Sequence, residues 1–254
     1  MVLSLDRWIG KVAVVTGASS GMGAAITKRL LRENIIVVGF ARRNEEIKQL
    51  STSDNLHALQ VDVTKEDQVV GAFKWVKEHL GPIHILVNCA GIVRLTNYLD
   101  GSVEMWRDMM ETNYIGLCIA TREAVKDMRA NNVDGHIIHM NDIAGYKMIG
   151  VEHLNVYCAS KYPVTAAVEG LRVELNGIKS KIKVSSISPG YVSTPIFDAT
   201  LRIQPEMADF VNSFDEATVS LDTEDIADTV AYLLSTPPHV QVHDITIRPI
   251  GQDF

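Results

Sequence analysis

The sequence predicts a single α/β domain in which a doubly wound, seven-stranded parallel sheet is flanked by helices. Three observations support this fold class. Short apolar, β-branched runs alternate with longer stretches of helical period, the short runs are apolar at nearly every position, and no linker or repeat divides the 254 residues. Strands that are apolar on both faces are typical of parallel sheets covered by helices on each side.

The elements follow one another in a regular order. The predicted strands are residues 12–16, 35–40, 58–63, 83–88, 136–140, 183–188 and 244–247, and the helices between them include 22–33, 65–79, 103–130, 156–176 and 223–234. Ligands of such sheets bind outside the carboxyl ends of the strands. Functional residues are therefore expected just after a strand or on a helix that faces that crevice.

Composition and charge exclude several classes of function. A net charge of -7 with scattered basic residues argues against nucleic-acid binding, and apolar runs such as 35–38 are far shorter than the roughly 18 residues of a membrane span. The eight histidines lack the spacing of metal ligands, so no metal site is predicted. Cys89, Cys118 and Cys158 form an odd set without C-x-x-C spacing, and no secretion signal precedes them, which favours a reducing, cytoplasmic setting.

The first strand runs into a glycine-rich turn, TGASSGMG. Its spacing, G-x-x-x-G-x-G, differs from the usual G-x-G-x-x-G fingerprint, but it opens a helix directly after the first strand. Backbone without side chains can approach a pyrophosphate there, and the helix N-terminus offers N–H groups to it. The turn therefore predicts a Rossmann-type nucleotide site formed by Gly17, Ser19, Ser20, Gly21, Met22 and Gly23.

The end of the second strand predicts which dinucleotide binds. It reads GFARRNEE, so Arg42 and Arg43 come first and Glu45 follows only in the next helix. An acid at this place binds the adenosine ribose hydroxyls, whereas a guanidinium suits a 2′-phosphate. Two tandem arginines favour NADP(H) over NAD(H), although exposed arginines at a strand end are also ordinary surface residues.

The next two strand ends supply further candidates for the adenosine half of the cofactor. The third strand is predicted to end in Asp62 and Val63, where the carboxylate can accept a hydrogen bond from the adenine amino group. The fourth runs into NCAG, where Asn88, Ala90 and Gly91 could place backbone along the adenosine. Each of these residues could equally be a plain turn residue.

A long helix carries Tyr157 and Lys161, four positions apart and therefore on one face. A phenol has an unperturbed pKa near 10, and a neighbouring ammonium is expected to lower it toward the range in which protons exchange at neutral pH. Tyr157 is therefore a candidate proton donor to a carbonyl oxygen, or acceptor from an alcohol.

With the phrases VTGASSGMGAAI, NCAGI, YCASKYPVTA, LRVEL and ISPGYVSTP, the chain resembles the short-chain dehydrogenase/reductase family from about residue 11 onward. More narrowly it is similar to NADP-dependent, animal cytosolic members such as the insect farnesol dehydrogenases. The resemblance implies that Tyr157 is the acid/base, that Lys161 is its electrostatic partner and a ribose ligand, and that Asn113 holds a water on the proton path. It also implies a homodimer or homotetramer formed through the helices of Asn113 and Tyr157. The residues that it implies around the nicotinamide are Pro189, Gly190, Val192 and Thr194.

The sequence departs from the family at Asp142. The family places a catalytic serine at the end of the strand before the tyrosine helix, and counting back fifteen positions from Tyr157 reaches Asp142 instead. Asn141 is expected to point to the opposite face and Tyr146 to lie on the next loop, so neither replaces the serine. An ionised carboxylate cannot donate a hydrogen bond, opposes charge on the reacting oxygen and on a Tyr157 phenolate, and could draw Lys161 into a salt bridge.

Several interpretations of Asp142 stay open. Desolvation could keep it protonated, so that it donates as a hydroxyl would, or it could accept a hydrogen bond from a hydroxyl-bearing ligand. It could also be an introduced change that silences the site, or an ordinary turn cap.

The segment 191–220 follows the strand that would hold the nicotinamide and is predicted to be a substrate lid. Six of its apolar residues, with four from elsewhere, could line a pocket for an isoprenoid or another lipophilic alcohol or carbonyl, or could simply pack the lid onto the sheet. The six are Ile196, Phe197, Leu201, Ile203, Met207 and Phe210, and the four are Val93, Leu95, Met148 and Ile149. The sequence thus favours an NADP(H)-dependent oxidoreductase impaired or specialised by Asp142. The alternatives are a catalytically idle NADP(H)- or ligand-binding protein and a structural oligomer with vestigial cofactor binding.

Overall fold

The computed structural model describes residues 4–253 and confirms the predicted fold class. Within those residues all seven strands form one parallel sheet in the order β3-β2-β1-β4-β5-β6-β7. The chain order reverses between β1 and β4, which opens a crevice at the carboxyl edge of the sheet. The strands are β1 (Val12–Thr16), β2 (Ile36–Ala41), β3 (Leu56–Gln60), β4 (Ile83–Asn88), β5 (His136–Met140), β6 (Lys183–Pro189) and β7 (Asp244–Ile247).

Helices connect the strands and cover both faces of the sheet. They are α1 (Gly21–Arg32), α2 (Asn44–Lys48), α3 (Glu66–Leu80), α4 (Val103–Met110), α5 (Gly116–Ala130), α6 (Asn155–Gly177), α7 (Asp198–Leu201), α8 (Ala208–Ala217) and α9 (Thr223–Ser235). A π-helical turn, Glu111–Ile115, joins α4 to α5, so the predicted helix 103–130 is continuous apart from this turn. None of the helices in residues 4–253 is long and apolar enough to cross a membrane.

The two faces of the sheet bury separate cores because side chains alternate along a strand. In β1, Ala13 and Val15 pack into the core under α1 and α9, whereas Val12 and Val14 pack into the core under α3, α5 and α6. All five residues of β1 are buried, which explains the continuously apolar run in the sequence. This rigid centre fixes the turns at the carboxyl edge, where the site lies.

The predicted bounds of the third strand were wrong by two to three residues at each end, whereas those of the second and sixth strands were within one residue. The third strand was expected to extend to Val63, but β3 ends at Gln60, which is paired with Ala41 at the end of β2. β3 lies at the edge of the sheet, so it has only β2 as a partner, and its ladder stops where β2 stops. Asp62 and Val63 therefore follow the strand rather than end it.

The segment 191–220 is mostly helical and its first half is tied to the body of the domain. Thr200 is fully buried, and its Oγ1 donates to the Val93 carbonyl at 2.5 Å. The Gln204 amide donates to the Leu95 carbonyl at 2.8 Å and accepts from the Leu95 N–H at 3.2 Å. These bonds hold α7 across the end of the crevice.

Candidate active site

The glycine turn between β1 and α1 is fixed by contacts that admit no side chain. Gly17 has φ +70°, and a Cβ there would lie 2.8 Å from the Cα of Ala90. A Cβ on Gly23 would lie 2.2 Å from the Gly17 carbonyl oxygen. A side chain at Gly17 would push the turn away from the segment that follows β4, and a side chain at Gly23 would push α1 away from the turn. The exposed backbone of the turn lines a cleft, called here the first cleft.

The first cleft collects most of the predicted cofactor residues. It is lined by Gly17, Ser19, Ser20, Gly21, Met22, Gly23, Arg42, Arg43, Asp62, Val63, Ala90, Gly91 and Thr194. Asn88 does not line it. The Asn88 side chain is buried beneath and hydrogen-bonds the Thr121 hydroxyl at 2.9 Å and the His139 ring at 3.1 Å, so it braces β4 against its neighbours.

The two tandem arginines differ in their surroundings. Arg43 Nε forms a salt bridge with Glu46 Oε1 at 2.8 Å, one turn along α2. No ion pair involves Arg42 among residues 4–253, so its guanidinium remains available to an anion in the first cleft.

The first cleft contains a further cation that was not predicted. Arg202, at the end of α7, also lines it, together with Asp198. Only apolar residues of the segment 191–220 were predicted to line a pocket, and nothing in the local sequence indicates which side of α7 faces the first cleft.

A second cleft adjoins the first and is largely apolar. Predicted residues that line it are Asp142, Tyr157, Lys161, Pro189, Gly190, Val192, Thr194, Val93 and Ile149. Met148 and Leu95 do not line it, since Met148 is exposed and Leu95 is buried behind the wall. Leu154 and Phe214 complete the wall and were not predicted. Phe214 lies in α8, and its ring packs edge-to-face on Phe197 at 5.9 Å between centroids.

Asp142 and Tyr157 meet at the base of the second cleft. Tyr157 Oη donates a hydrogen bond to Asp142 Oδ2 at 2.8 Å, and the Ala144 N–H donates to Asp142 Oδ1 at 2.8 Å. Asp142 also caps the short 3-10 turn Ile143–Gly145, which confirms the turn-cap interpretation. Its assignment to the serine position of the family stays a prediction. The side chain that accompanies the Tyr157 hydroxyl is thus an acceptor.

The protonation of this pair differs in part from expectation. Burial raises the pKa of Tyr157 well above its ordinary value, and the Asp142 carboxylate raises it further. The lowering expected from Lys161 is not found, whereas the expectation that Asp142 opposes a Tyr157 phenolate is confirmed in direction. Burial also raises the pKa of Asp142, while Lys161, the Ala144 N–H and the Tyr157 hydroxyl oppose that shift.

Lys161 is not drawn into a salt bridge with Asp142, contrary to one expectation. Its ammonium donates to the carbonyl oxygens of Met140 at 3.2 Å and Asn141 at 3.5 Å. It lies 5.8 Å from the centroid of the Tyr157 ring. Burial lowers the pKa of Lys161, and Asp142 and Cys89 oppose this effect. The extended backbone before Asp142 presents the carbonyls that compete for the ammonium.

Asn113 lies in the π-helical turn and lines neither cleft. Its Oδ1 accepts from the Ile92 N–H at 2.8 Å, and its Nδ2 donates to the Ile92 carbonyl at 3.0 Å and to Ser160 Oγ at 2.9 Å. The side-chain amide is therefore engaged by protein atoms, which ties the Ile92 segment to α6. The implied role of holding a water stays a prediction.

Neither neighbour of Asp142 replaces the missing hydroxyl donor. Asn141 points away and donates to Thr165 Oγ1 at 2.9 Å. Tyr146 is exposed and its hydroxyl donates to Asp244 Oδ1 at 3.0 Å. Within residues 4–253, no three His, Cys, Asp or Glu side chains cluster in a way that could hold a metal ion.

Comparisons with known proteins agree with this architecture. The family model described as short chain dehydrogenase matches residues 11–204. The chain is 43% identical to a farnesol dehydrogenase of Aedes aegypti, over 98% of this chain and 100% of that protein. It is 36% identical to the human dehydrogenase/reductase SDR family member 11, over 98% of this chain and 97% of that protein.

Solved structures give the same result at the level of the fold. A closed form of a serine dehydrogenase complexed with NADP+ matches with a TM-score of 0.86 and 30% identity, covering 96% of each chain. A single-substitution variant of the actinorhodin polyketide ketoreductase with NADPH matches with a TM-score of 0.81 and 28% identity, covering 96% of this chain and 97% of that one.

Proposed function

The chain belongs to the short-chain dehydrogenase/reductase family, and from this premise we propose that it is an NADP(H)-dependent oxidoreductase of lipophilic alcohols and carbonyls, with farnesol and farnesal as candidates. One observation carries the proposal. The Tyr157 hydroxyl lies in an apolar cleft that shares Met22, Gly91 and Thr194 with the glycine-lined first cleft. Ligands in the two clefts would therefore be in contact.

The residues of the first cleft fit a phosphorylated dinucleotide. Gly17 and Gly23 leave backbone exposed where a side chain would block approach, and Arg42 offers a guanidinium that no carboxylate among the described residues neutralises. A planar guanidinium is suited to a 2′-phosphate. NADP(H) bound there would supply or accept the hydride. The NADP+ and NADPH in the matching serine dehydrogenase and ketoreductase structures support this choice of cofactor.

Tyr157 is the proton donor to a carbonyl oxygen and the acceptor from an alcohol in this proposal. Its hydroxyl is buried at the cleft base, so water competes little for it. Lys161 holds the carbonyls of Met140 and Asn141 and thereby positions the strand end that carries Asp142. Asn113 positions the Ile92 segment, which lines both clefts.

The segment 191–220 acts as the lid. Thr200 and Gln204 bind the segment at Val93 and Leu95, so α7 is anchored to the body of the domain. Phe214, on α8, lines the second cleft and would contact a lipophilic substrate there.

Asp142 impairs carbonyl reduction in this site. A carbonyl oxygen beside Tyr157 meets an acceptor where a second donor is needed, and removing one such donor typically costs about a hundredfold to a thousandfold in turnover. Burial raises the pKa of Asp142, and in its protonated form Asp142 would donate a hydrogen bond instead. A catalytically idle NADP(H)-binding protein is the second candidate, because the Tyr157–Asp142 hydrogen bond occupies the proton donor.

The test compares the unaltered chain, Asp142→Ser and Tyr157→Phe for NADPH oxidation and NADP+ reduction over lipophilic aldehydes, ketones and alcohols, including farnesal and farnesol. NADPH binding is measured separately by its fluorescence. We expect Asp142→Ser to raise carbonyl turnover by about a hundredfold or more, and Tyr157→Phe to abolish it. NADPH binding without turnover in the unaltered chain and Asp142→Ser would favour the idle binding protein. An unaltered chain that matches or exceeds Asp142→Ser would show that Asp142 donates or selects substrate.

A further inference from the structure

The reactive end of the second cleft presents an acceptor beside the proton donor. Asp142 Oδ2 accepts from Tyr157 Oη and Oδ1 accepts from the Ala144 N–H. Each carboxylate oxygen has room for a second hydrogen bond, and the cleft is the open side. A ligand group that fits this site carries a hydrogen-bond donor, and a positive charge on that donor strengthens its bond to the Asp142 carboxylate.

The charges around the cleft support a cationic ligand. Asp142 and Lys161 are the only ionisable Asp, Glu, Lys, Arg or His side chains that line it among residues 4–253. The Lys161 ammonium is directed at the carbonyls of Met140 and Asn141, and no salt bridge joins it to Asp142. Lys161 acts on the Asp142 carboxylate electrostatically, since it lowers the pKa of Asp142 against the effect of burial. The ammonium donates to backbone carbonyls, however, so the carboxylate has no hydrogen-bonded cation in a site walled by apolar side chains, and a ligand cation can supply one.

Part of the wall of the second cleft is aromatic. Tyr191, Phe197 and Phe214 line the second cleft and pack edge-to-face, with centroids 5.1 Å apart for Tyr191 and Phe214 and 5.9 Å apart for Phe197 and Phe214. The Tyr191 hydroxyl is bound to Asp215 in α8, which holds the ring in place. Aromatic faces attract organic cations as well as apolar chains.

From these two independent features we infer that the second cleft binds a lipophilic ammonium or iminium ion, with its nitrogen hydrogen-bonded to Asp142. The carbon chain of the ligand lies against the aromatic wall. A ketone or aldehyde cannot make this bond because its oxygen has no hydrogen, whereas an alcohol can make it without the charge.

The binding mode carries a redox consequence, which rests on the proposed function. A bound secondary ammonium first releases one N–H proton to solvent, and the remaining N–H stays hydrogen-bonded to the ionised Asp142. The nitrogen lone pair then forms a C=N bond as the adjacent carbon loses hydride. The hydride and its two electrons pass to the oxidised nicotinamide dinucleotide, and the product is an iminium ion. Positive charge grows on nitrogen beside the carboxylate, so Asp142 stabilises this transition state while it opposes the negative charge of carbonyl reduction.

The test measures binding separately from turnover. Geranylamine and geraniol, which share one carbon chain, are titrated by calorimetry at pH 7.5 into the unaltered chain, Asp142→Asn and Asp142→Ser. A charged hydrogen bond predicts that the unaltered chain binds the amine about ten to a hundred times more tightly than the alcohol. Both variants are expected to lose this preference, and two variants guard against misfolding of one. Equal affinity for amine and alcohol in the unaltered chain, or retained preference in both variants, would overturn the inference.

A second arm separates this inference from the proposed function. NADP+ reduction is followed with N-methylgeranylamine, a secondary amine, and with geraniol, while NADPH binding is measured by fluorescence in each variant. Amine preference without NADPH binding would refute the proposed function and leave the cation site intact. NADPH binding and carbonyl turnover without amine preference would refute the cation site and leave the proposed function intact.

Discussion

The contact between Gly23 and Gly17 gives the sharpest test of the first cleft. A Cβ on Gly23 would lie 2.2 Å from the Gly17 carbonyl oxygen, whereas real Cβ contacts are not found under 3.0 Å. The blocking atom is backbone, so α1 and the turn must separate by close to 1 Å. Overpacking of this kind costs about 1 to 3 kcal/mol in the free energy of unfolding, and a displacement near 1 Å at a binding site can cost about a hundredfold.

Gly71 provides a matched control. It lies in the exposed part of α3, and a Cβ there would meet nothing within 4 Å. Gly71→Ala should therefore raise the free energy of unfolding by roughly 0.5 to 1 kcal/mol, because alanine loses less backbone entropy in a helix. NADPH fluorescence titration and urea denaturation of both variants measure the two effects. Gly23→Ala should bind NADPH about a hundredfold more weakly and Gly71→Ala as the unaltered chain does. Unchanged binding by Gly23→Ala would refute the role of this close approach.

Three other predictions concern the cofactor, acid stability and assembly. Arg42→Ala should weaken NADPH binding by roughly ten- to a hundredfold and leave NADH binding unchanged in calorimetry. Arg43→Ala should weaken NADPH binding less, because Arg43 is already paired with Glu46. Equal losses of NADPH affinity in the two variants would refute the different roles of the two arginines. Burial lowers the pKa of His139 to about 3 in the folded chain. As the pH falls below about 6.5, His139 is therefore protonated in the unfolded chain but stays neutral in the folded chain. The free energy of unfolding should fall by about 2 kcal/mol from this group between pH 7.5 and 5, and His139→Gln should flatten that dependence in urea denaturation; an unchanged dependence would contradict it. Val173 on α6 is 70% exposed. If α6 forms the subunit interface of the predicted oligomer, Val173→Glu should lower the molar mass in light scattering toward that of the monomer. An unchanged molar mass would place the subunit interface elsewhere.

Much of the fold and part of the site follow from short-range patterns. The boundaries of β1, β4, β5 and β7 agree with the prediction. β1 is apolar at four of its five positions and is buried throughout, so its limits are visible in the local sequence. The boundary of β3 could not be predicted, since it depends on where its neighbour β2 ends.

The sequence by itself determined which residue types stand at each strand end, including glycine in the first turn, arginine after β2 and Asp142 after β5. These positions follow from spacing along the chain, because parallel strands bring their carboxyl ends to one edge. The tertiary structure decided what each side chain bonds. Tyr157 donates to Asp142, Lys161 binds backbone carbonyls, and Arg202 reaches the first cleft. These contacts depend on distances of a few ångströms between segments far apart in the chain, set by how the helices pack on the sheet and not by local pattern.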